Sequence, residues 1–313
     1  MTRWPRILIV VALLAVTAAA FAYTEHLKLE RSPVTGTRVD KVFSPVCECV
    51  RNVAVISFVL RRPETVTLEV LDSGGRSVRT IVDGRREPKG RVSYTWDGRD
   101  DADRVVADAR YRPRVSLERH GRTIVLPNPI RVDTTPPLIR MTSVRPRVFS
   151  PDGDGRRDRV TIRFRVDERS RAMLFVDGRR QALTKFRKSK GQLVWLGRID
   201  GRPARPGTYE LRLRAVDEAG NRSSRTRPGN VRVRFIELQR DRIEVVARRR
   251  FSVRVHTDAR SYQWRFAGDT GTSNAPVLVL RAPGTAGTYA LFVRVGDHAD
   301  RAEVVVSEAV AQP

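Results

Sequence analysis

The chain repeats one segment of its sequence 106 residues downstream, and this repeat limits the folds that are open to it. The letters VFSP begin the first copy at residues 42–45 and the second at residues 148–151. From there the two copies run without a gap as VFSPVCECVRNVAVISF and VFSPDGDGRRDRVTIRF, and each later contains a Trp followed two positions on by Gly, at Trp96 and at Trp195. A period of this length is typical of tandem small domains, since solenoid repeats are much shorter.

Much of the sequence after the N-terminus alternates apolar and polar residues. Residues 161–166, 211–214 and 231–235 place arginine between apolar residues. Because side chains point to opposite faces along a strand, the apolar residues are expected to face a core and the arginines to face water. Short strands of this kind, separated by Gly- and Asp-containing turns, predict antiparallel β-sandwiches.

The net charge of +25 comes almost entirely from arginine, since the chain has 54 Arg and 6 Lys against 35 acidic residues. The wet faces of the predicted strands account for most of these arginines. A surface this basic attracts polyanions, such as wall polymers, acidic polysaccharides or anionic lipid. Nucleic acid would satisfy the same charge, but no nucleic acid is expected, because the N-terminus predicts export.

The N-terminal residues have the pattern of an export signal or membrane anchor. Arg3 and Arg6 precede an uncharged stretch at residues 7–23, which is short for a membrane span and long for the hydrophobic part of a signal peptide. Small residues at 18–22 allow cleavage, whereas the unbroken apolar block favours an uncleaved anchor. We therefore predict a transmembrane anchor or signal peptide at residues 1–24. The chain would be a single-pass cell-membrane protein with its C-terminal part outside or, alternatively, secreted.

Turn signals and the repeat divide the rest of the chain. We predict a linker at residues 25–40, domain one at 41–133, domain two at 134–235, domain three at 236–308 and a tail at 309–313. The sequence DTTPP joins domains one and two, and its paired prolines stiffen that link. Domain three is the most divergent, although its GTY at residues 287–289 matches GTY at 207–209.

A family resemblance rests on spaced aromatic, glycine and aspartate residues. In domain one these are Tyr94, Trp96, Gly98, Asp100, Asp101 and Tyr111, and in domain two they are Trp195, Gly197 and the sequence PGTY at 206–209. Domain one, and less fully domain two, resembles the immunoglobulin-like domain of the bacterial flagellar hook-capping protein. The resemblance implies immunoglobulin-like β-sandwich domains. Together with the apolar N-terminal segment, it gives the predicted fold, an all-β chain of tandem immunoglobulin-like β-sandwich domains after one N-terminal hydrophobic helix. No flagellar role is carried over, because nothing in the sequence resembles the assembly segment of that protein.

Two candidate sites lie in the loops that open the repeats. Asp152, Asp154 and Asp158 have the spacing of a calcium loop, although a bidentate Glu is missing and the alternative is a plain Asp/Gly turn. Cys47 and Cys49 align with the glycines of that loop, and we interpret them as a Cys-x-Cys disulfide formed outside the reducing cytoplasm. Free thiols, an intermolecular bridge and a two-thiolate metal site are the alternatives, of which the last lacks further ligands.

The sequence contains no recognisable catalytic motif, such as a P-loop, a nucleophile elbow or paired metal-binding histidines. We interpret the aspartates at 100–103 as turn residues and Trp96, Trp195 and Trp264 as core residues. The prediction is a non-enzymatic, membrane-tethered or secreted surface protein that acts in adhesion, spacing or binding. Its predicted partners are the membrane through residues 7–23 and either anionic wall polymer or an unidentified surface protein. The alternative is an accessory or carbohydrate-binding subunit of a separate exported enzyme.

Overall fold

The computed structural model describes residues 4–29, 32–186 and 189–308, so the predicted tail at 309–313 lies outside the described residues. One helix, α1 (Trp4–Leu29), comes first, and strands follow it. None of the described helical residues forms a stretch that is both long enough and apolar enough to cross a membrane. The chain divides into two compact units, Met1–Thr135 and Pro136–Pro313.

The first unit contains one β-sandwich, domain one. Its strands are β1 (Val34–Val39), β2 (Val42–Phe43), β3 (Ala54–Leu60), β4 (Glu64–Leu71), β5 (Ser77–Glu87), β6 (Gly90–Trp96), β7 (Arg110–Leu117), β8 (Arg122–Val125) and β9 (Ile130–Val132). One sheet has the order β1-β3-β6, and the other has the order β2-β9-β7-β4-β5, with β8 paired to β7. The core between them contains Phe43, Phe58 and Trp96, each of which is no more than 1% exposed.

The predicted linker at residues 25–40 needs correction. Residues up to Leu29 belong to α1, and Val34–Val39 form β1, which pairs antiparallel with β3. The sequence of β1 is VTGTRV, in which a glycine and polar residues separate the valines. Its apolar pattern is therefore too short to predict a strand, and the strand forms because β3 supplies hydrogen-bond partners along it.

The second unit contains two sandwiches, of which domain two comes first. Its strands are β10 (Ile139–Arg145), β11 (Val148–Phe149), β12 (Val160–Val166), β13 (Ser170–Val176), β14 (Arg179–Leu183), β15 (Lys190–Trp195), β16 (Arg198–Ile199), β17 (Arg202–Pro203), β18 (Gly207–Asp217) and β19 (Gly229–Val233). The two main sheets have the orders β10-β12-β15 and β11-β19-β18-β13-β14, and β16 and β17 form a small hairpin.

Domain three repeats this plan. Its strands are β20 (Ile236–Leu238), β21 (Arg242–Val246), β22 (Arg250–Thr257), β23 (Tyr262–Phe266), β24 (Asp269–Ser273), β25 (Val277–Arg281), β26 (Gly287–Val295) and β27 (His298–Ser307). The sheets have the orders β20-β22-β25 and β21-β27-β26-β23-β24. In all three domains, an early strand pairs parallel with the last one, as β2 with β9, β11 with β19 and β21 with β27. The predicted all-β class of tandem immunoglobulin-like sandwiches is therefore confirmed.

Domains two and three are joined without a spacer, because β19 ends at Val233 and β20 begins at Ile236. The ring of Phe235 stacks on the ring of His298, with 3.4 Å between centroids and 3° between planes. The Ser150 hydroxyl donates a hydrogen bond to the Asp258 carboxylate, which belongs to domain three. These contacts fix the junction by packing and hydrogen bonding within one compact unit.

Candidate functional site

The repeated VFSP and Trp-x-Gly segments meet in the core of each copy. In domain one, the Trp96 ring packs edge-on against Phe43 and Tyr111, with centroids 5.5 and 5.1 Å apart. In domain two, Trp195 lies 5.3 Å from both Phe149 and Tyr209. Edge-to-face aromatic packing of this kind stabilises a small core, so the most informative part of the sequence has a structural role.

The glycine after each tryptophan allows the proline of VFSP to pack. Gly98 and Gly197 have φ values of +74° and +65°. A Cβ on Gly98 would lie 2.8 Å from Pro45 Cβ, and one on Gly197 would lie 2.3 Å from Pro151 Cγ. Both the left-handed backbone and the close proline therefore require glycine.

A tyrosine hydroxyl ties one strand to the turn before it in each of the three domains. Tyr111, Tyr209 and Tyr289 each donate to the carbonyl oxygen four residues upstream, at 2.9, 2.8 and 3.0 Å. This satisfies the hydroxyl of a partly buried tyrosine. The shared bond extends the internal similarity to domain three, which the sequence shows only through GTY.

The opening loop of domain two brings the three predicted calcium ligands together. One carboxylate oxygen from each of Asp152, Asp154 and Asp158 lies within 4.8 Å of the others. Burial raises the pKa of Asp152, and the nearby carboxylates of Asp154 and Asp258 raise it further. Such a cluster of hard oxygen atoms would be stabilised by a divalent cation.

Hydrogen bonds within the same loop account for its conformation without a cation. Both carboxylate oxygens of Asp158 accept hydrogen bonds from backbone N–H groups, from Gly153 at 2.7 Å and from Gly155 at 2.8 Å. Asp154 accepts another from the Arg156 N–H at 2.7 Å. The Asp154 bond is that of an Asx turn, and the two Asp158 bonds tie the end of the loop back to its glycines. Calcium binding therefore stays a prediction.

The opening loop of domain one contains a disulfide between Cys47 and Cys49. The Arg51 N–H points at Cys49 Sγ, 3.4 Å away. Beside this loop, the Ser44 hydroxyl is buried and has no hydrogen-bond partner among the described residues. Its counterpart in domain two is Ser150, which is bonded to Asp258. The opening loop is thus closed by a disulfide in domain one and by hydrogen bonds to an aspartate in domain two.

The aspartates predicted as turn residues do occupy a turn. Asp100 accepts hydrogen bonds from the N–H groups of Ala102 and Arg104, at 3.0 and 2.9 Å, and pairs with the Arg104 guanidinium. The N–H bond from Arg104 is the first of several contacts that lower the pKa of Asp100. Asp101 accepts from the Thr80 N–H at 3.0 Å. These carboxylates hold the loop before β7 in place.

Sequence reasoning missed a buried acid in domain one. Glu64 is 3% exposed and pairs with His120. Burial by itself raises the pKa of Glu64, but the hydrogen bonds from His120 and from the Arg119 and Thr65 N–H groups outweigh it and lower the pKa overall. Glu64 and His120 are 56 positions apart in the sequence and come together because β4 pairs with β7. No local sequence pattern predicts such a pair.

The segment that leaves domain one is fastened to that domain by one carboxylate. Asp108 accepts 2.8 Å hydrogen bonds from the Thr134 N–H and from the hydroxyls of Thr134 and Thr135. Burial would raise the pKa of Asp108, but these bonds lower it. The threonines of the junction are therefore ordered against domain one.

Domain three has a surface cleft of about 530 Å³ that includes aromatic side chains. The Trp264 ring covers Gly271, where a Cβ would lie 2.7 Å from the indole. Arg265 lies over the Phe292 ring, 4.8 Å from its centroid. Of the three tryptophans predicted in cores, Trp96 and Trp195 are 1% and 3% exposed, whereas Trp264 is half-buried at this cleft.

Comparison with known proteins identifies part of domain one. Residues 52–121 match the family model described as the FlgD Ig-like domain. The predicted resemblance to the hook-capping type is therefore confirmed for this segment. No curated protein matches the chain.

Solved structures with related architecture are only distantly similar. Fibronectin(III)-like modules of CbhA from Clostridium thermocellum share 16% identity, cover 64% of this chain and 90% of their own, and have a TM-score of 0.32. A bacterial ice-binding adhesin shares 13% identity over 88% of this chain and 97% of its own, with a TM-score of 0.29. SGBP-B of the Bacteroides ovatus mixed-linkage glucan utilization locus, in complex with a mixed-linkage heptasaccharide, shares 13% identity over 86% of this chain and 66% of its own, with a TM-score of 0.21.

Proposed function

We propose that this chain is an exported, non-enzymatic surface protein whose immunoglobulin-like domains bind anionic envelope polymers and act in adhesion and spacing. Modules of this type are usually non-catalytic. The observation that carries the proposal is the outward position of arginine on the strands, combined with a net charge of +25.

The arginines lie beside one another as well as outside the cores. In domain two, Arg165 of β12 is exposed and lies opposite Arg140 of β10. In domain three, Arg250 of β22 is exposed and lies opposite Arg281 of β25. Like charges that face each other across a sheet destabilise it. A bound polyanion would relieve this repulsion, and the field of the whole surface would attract it.

Binding to purified wall polymers at increasing salt tests the proposal. We expect the full chain to bind an anionic wall polymer in low salt and to release it as the ionic strength approaches about 0.5 M, where charges more than a few ångströms apart are screened. A neutral polymer is the control. Failure to bind any anionic polymer, or binding that salt leaves unchanged, would contradict the proposal.

Export is proposed on the basis of residues 1–24, either as a membrane anchor through residues 7–23 or as a signal peptide that is removed. The mass of the N-terminal peptide of protein recovered from its native envelope distinguishes the two. A mature chain that starts at Phe21 or Tyr23 would rule out the anchor, and recovery from the cytoplasm alone would contradict export.

A second candidate is a carbohydrate-binding partner of a separate exported enzyme. The cleft of domain three favours it, because Trp264 and Phe292 offer aromatic surface next to Gln263, Thr270 and polar neighbours. Recognition of a neutral glycan there would survive high salt, in contrast to adhesion by charge. Loss of such binding in Phe292→Ala, with a partner enzyme that co-purifies through high salt, would favour this candidate.

A further inference from the structure

We propose that the outer face of the five-stranded sheet of domain two carries a binding groove for an acidic polysaccharide. The inference rests on the proposed function and gives it a site. The groove has a volume of about 470 Å³, within the range of ligand clefts. We call it the arginine groove, after the arginines that line it: Arg171, Arg180, Arg214, Arg222 and Arg225.

Strand register builds the floor and one rim of the groove. Along β13, Ala172 and Leu174 are buried in the core, so Met173, which is 9% exposed, and the half-buried Phe175 lie on the opposite face of the sheet. Arg214 of β18 lies opposite Met173, and Arg180 of β14 lies opposite Phe175. Apolar side chains in the middle of the face are thus flanked by arginines on both neighbouring strands.

The second rim comes from the segment after β18, which runs along the edge of that strand. The Ser223 N–H donates to the Ala215 carbonyl at 3.0 Å, and Arg222 forms an isolated bridge with Val216. Arg222 and Arg225 are exposed and line the groove from this side. Five positive charges therefore surround one apolar floor.

The five arginines of the groove outnumber the carboxylates near it, of which Glu210 interacts electrostatically with Arg225. No Asp or Glu is among its described lining residues, and none of its five arginines is in an ion pair within the described part of the chain. The carboxylates at its two ends have other partners: Glu210 binds Arg212 at 2.5 Å, and Glu218 binds Arg169 at 3.0 Å. The groove therefore keeps its attraction for a negatively charged ligand.

Several of these guanidinium groups are held by contacts that leave their charge available. Arg225 lies over the Phe175 ring at 4.7 Å, and Arg171 lies over Phe186 at 4.6 Å. Arg214 Nε donates to the Ser223 carbonyl at 2.8 Å. Side chains that are already placed lose less conformational entropy on binding, which favours affinity.

The combination of an arginine rim and an apolar floor specifies the class of ligand. Guanidinium groups bind carboxylates through paired hydrogen bonds. The C–H face of a sugar ring packs on apolar side chains, and here Leu183, which is 47% exposed, offers such a surface beside Met173 and Phe175. A uronic-acid polysaccharide provides both chemistries in each repeat, whereas an acidic peptide chain without sugar rings provides only the charge.

Titration calorimetry on the full chain tests the site, with oligogalacturonate as the probe. The variant Arg171→Gln/Arg180→Gln/Arg222→Gln removes three rim charges whose side chains make no hydrogen bond or ion pair with the residues that the structure describes. We expect its affinity for the probe to fall about tenfold or more, since charge-assisted bonds to the ligand are lost.

A matched control removes the same number of charges from the opposite sheet of the same sandwich. Arg145→Gln/Arg163→Gln/Lys190→Gln changes exposed residues of β10, β12 and β15 and leaves the facing pair of Arg140 and Arg165 in place. Only long-range attraction is lost there, and we expect a decrease of no more than about threefold in 0.15 M salt. Equal decreases in the two variants would overturn the groove while leaving adhesion by net charge in place. If the unaltered chain binds neither oligogalacturonate nor wall polymer, the proposed function itself fails.

Leu183→Ala tests the floor separately from the rim, because Leu183 is 47% exposed in the groove and holds none of its arginines. We expect it to weaken oligogalacturonate binding by about fivefold, because apolar surface for the sugar ring is lost. Binding of poly-glutamate, which has carboxylates but no sugar rings, should not change. If both probes weaken equally, or if poly-glutamate binds the unaltered chain as tightly as oligogalacturonate, the assignment to a polysaccharide is wrong. Unchanged circular dichroism confirms that each variant is folded.

Discussion

Gly197→Ala tests how the opening segment of domain two packs. Gly197 has φ +65°, and a Cβ there would lie 2.3 Å from Pro151 Cγ and 3.3 Å from the Phe149 ring. The left-handed backbone costs an L-residue about 1–2 kcal/mol. Forcing a methyl group into an already packed contact costs about 1–3 kcal/mol more. We therefore expect the free energy of unfolding of domain two to fall by about 2–5 kcal/mol.

Gly201→Ala provides a matched control in the same domain. Gly201 has φ +79°, but no heavy atom lies within 4 Å of the Cβ that the substitution adds. Only the backbone cost of about 1–2 kcal/mol applies to this variant. The difference between the two variants therefore measures the contact with Pro151.

Hydrogen exchange read by mass spectrometry on the full chain resolves the two domains. Peptides from β12 and β18 report on domain two, and peptides from β3 and β7 serve as an internal reference in the other compact unit. Protection should fall in the domain-two peptides alone, and further in Gly197→Ala than in Gly201→Ala. Equal losses in the two variants would refute the packing argument. Protection that Gly197→Ala leaves unchanged would refute the backbone argument as well.

Three further predictions concern the loops. A thiol titration of native protein should find no reactive group, because Cys47 and Cys49 form a disulfide; two thiols per chain would exclude it. Calcium at about 1 mM should give a binding heat with the unaltered chain but not with Asp154→Asn, and no heat in either would exclude the site. The pKa of Asp108 is lowered in the fold, so its stabilisation is present above the unfolded value of about 3.9 and is lost as the pH falls through the lower folded value. The protection of the Thr134 amide against hydrogen exchange should therefore decrease on acidification below about pH 4. At neutral pH, Asp108→Ala should lower the free energy of that protection by about 1 kcal/mol. The same Thr134 protection in Asp108→Ala and in the unaltered chain would contradict the role of Asp108 in fastening this segment.

The sandwich fold could be predicted because its determinants are local and repeated. Alternation within single strands identifies inward and outward residues, as in β12, where Ile162 and Phe164 are buried between exposed arginines. The pairing of Trp-x-Gly with VFSP recurs in both copies, so the alignment of the sequence with itself locates it. Such signals need no knowledge of which strands are neighbours.

The parts that sequence did not predict depend on strand neighbours. The hydrogen bond from Ser150 to Asp258 spans 108 positions, and no local pattern marks it. β1 forms because β3 pairs with it, although its own apolar pattern is weak. The arginine groove draws side chains from β13, β14, β18 and the segment after β18, and each arginine alone is indistinguishable from an ordinary solvated residue.

The parallel pairing of an early strand with the last one governs how each sandwich responds to tension. When a domain is stretched from its two ends, such neighbours are pulled along their length, so their hydrogen bonds are sheared together instead of opening in turn. β21 and β27 share five paired positions, whereas β2 with β9 and β11 with β19 share two each. Under a steady load, domains one and two should therefore yield first, with domain three giving way last in a single-molecule pulling trace.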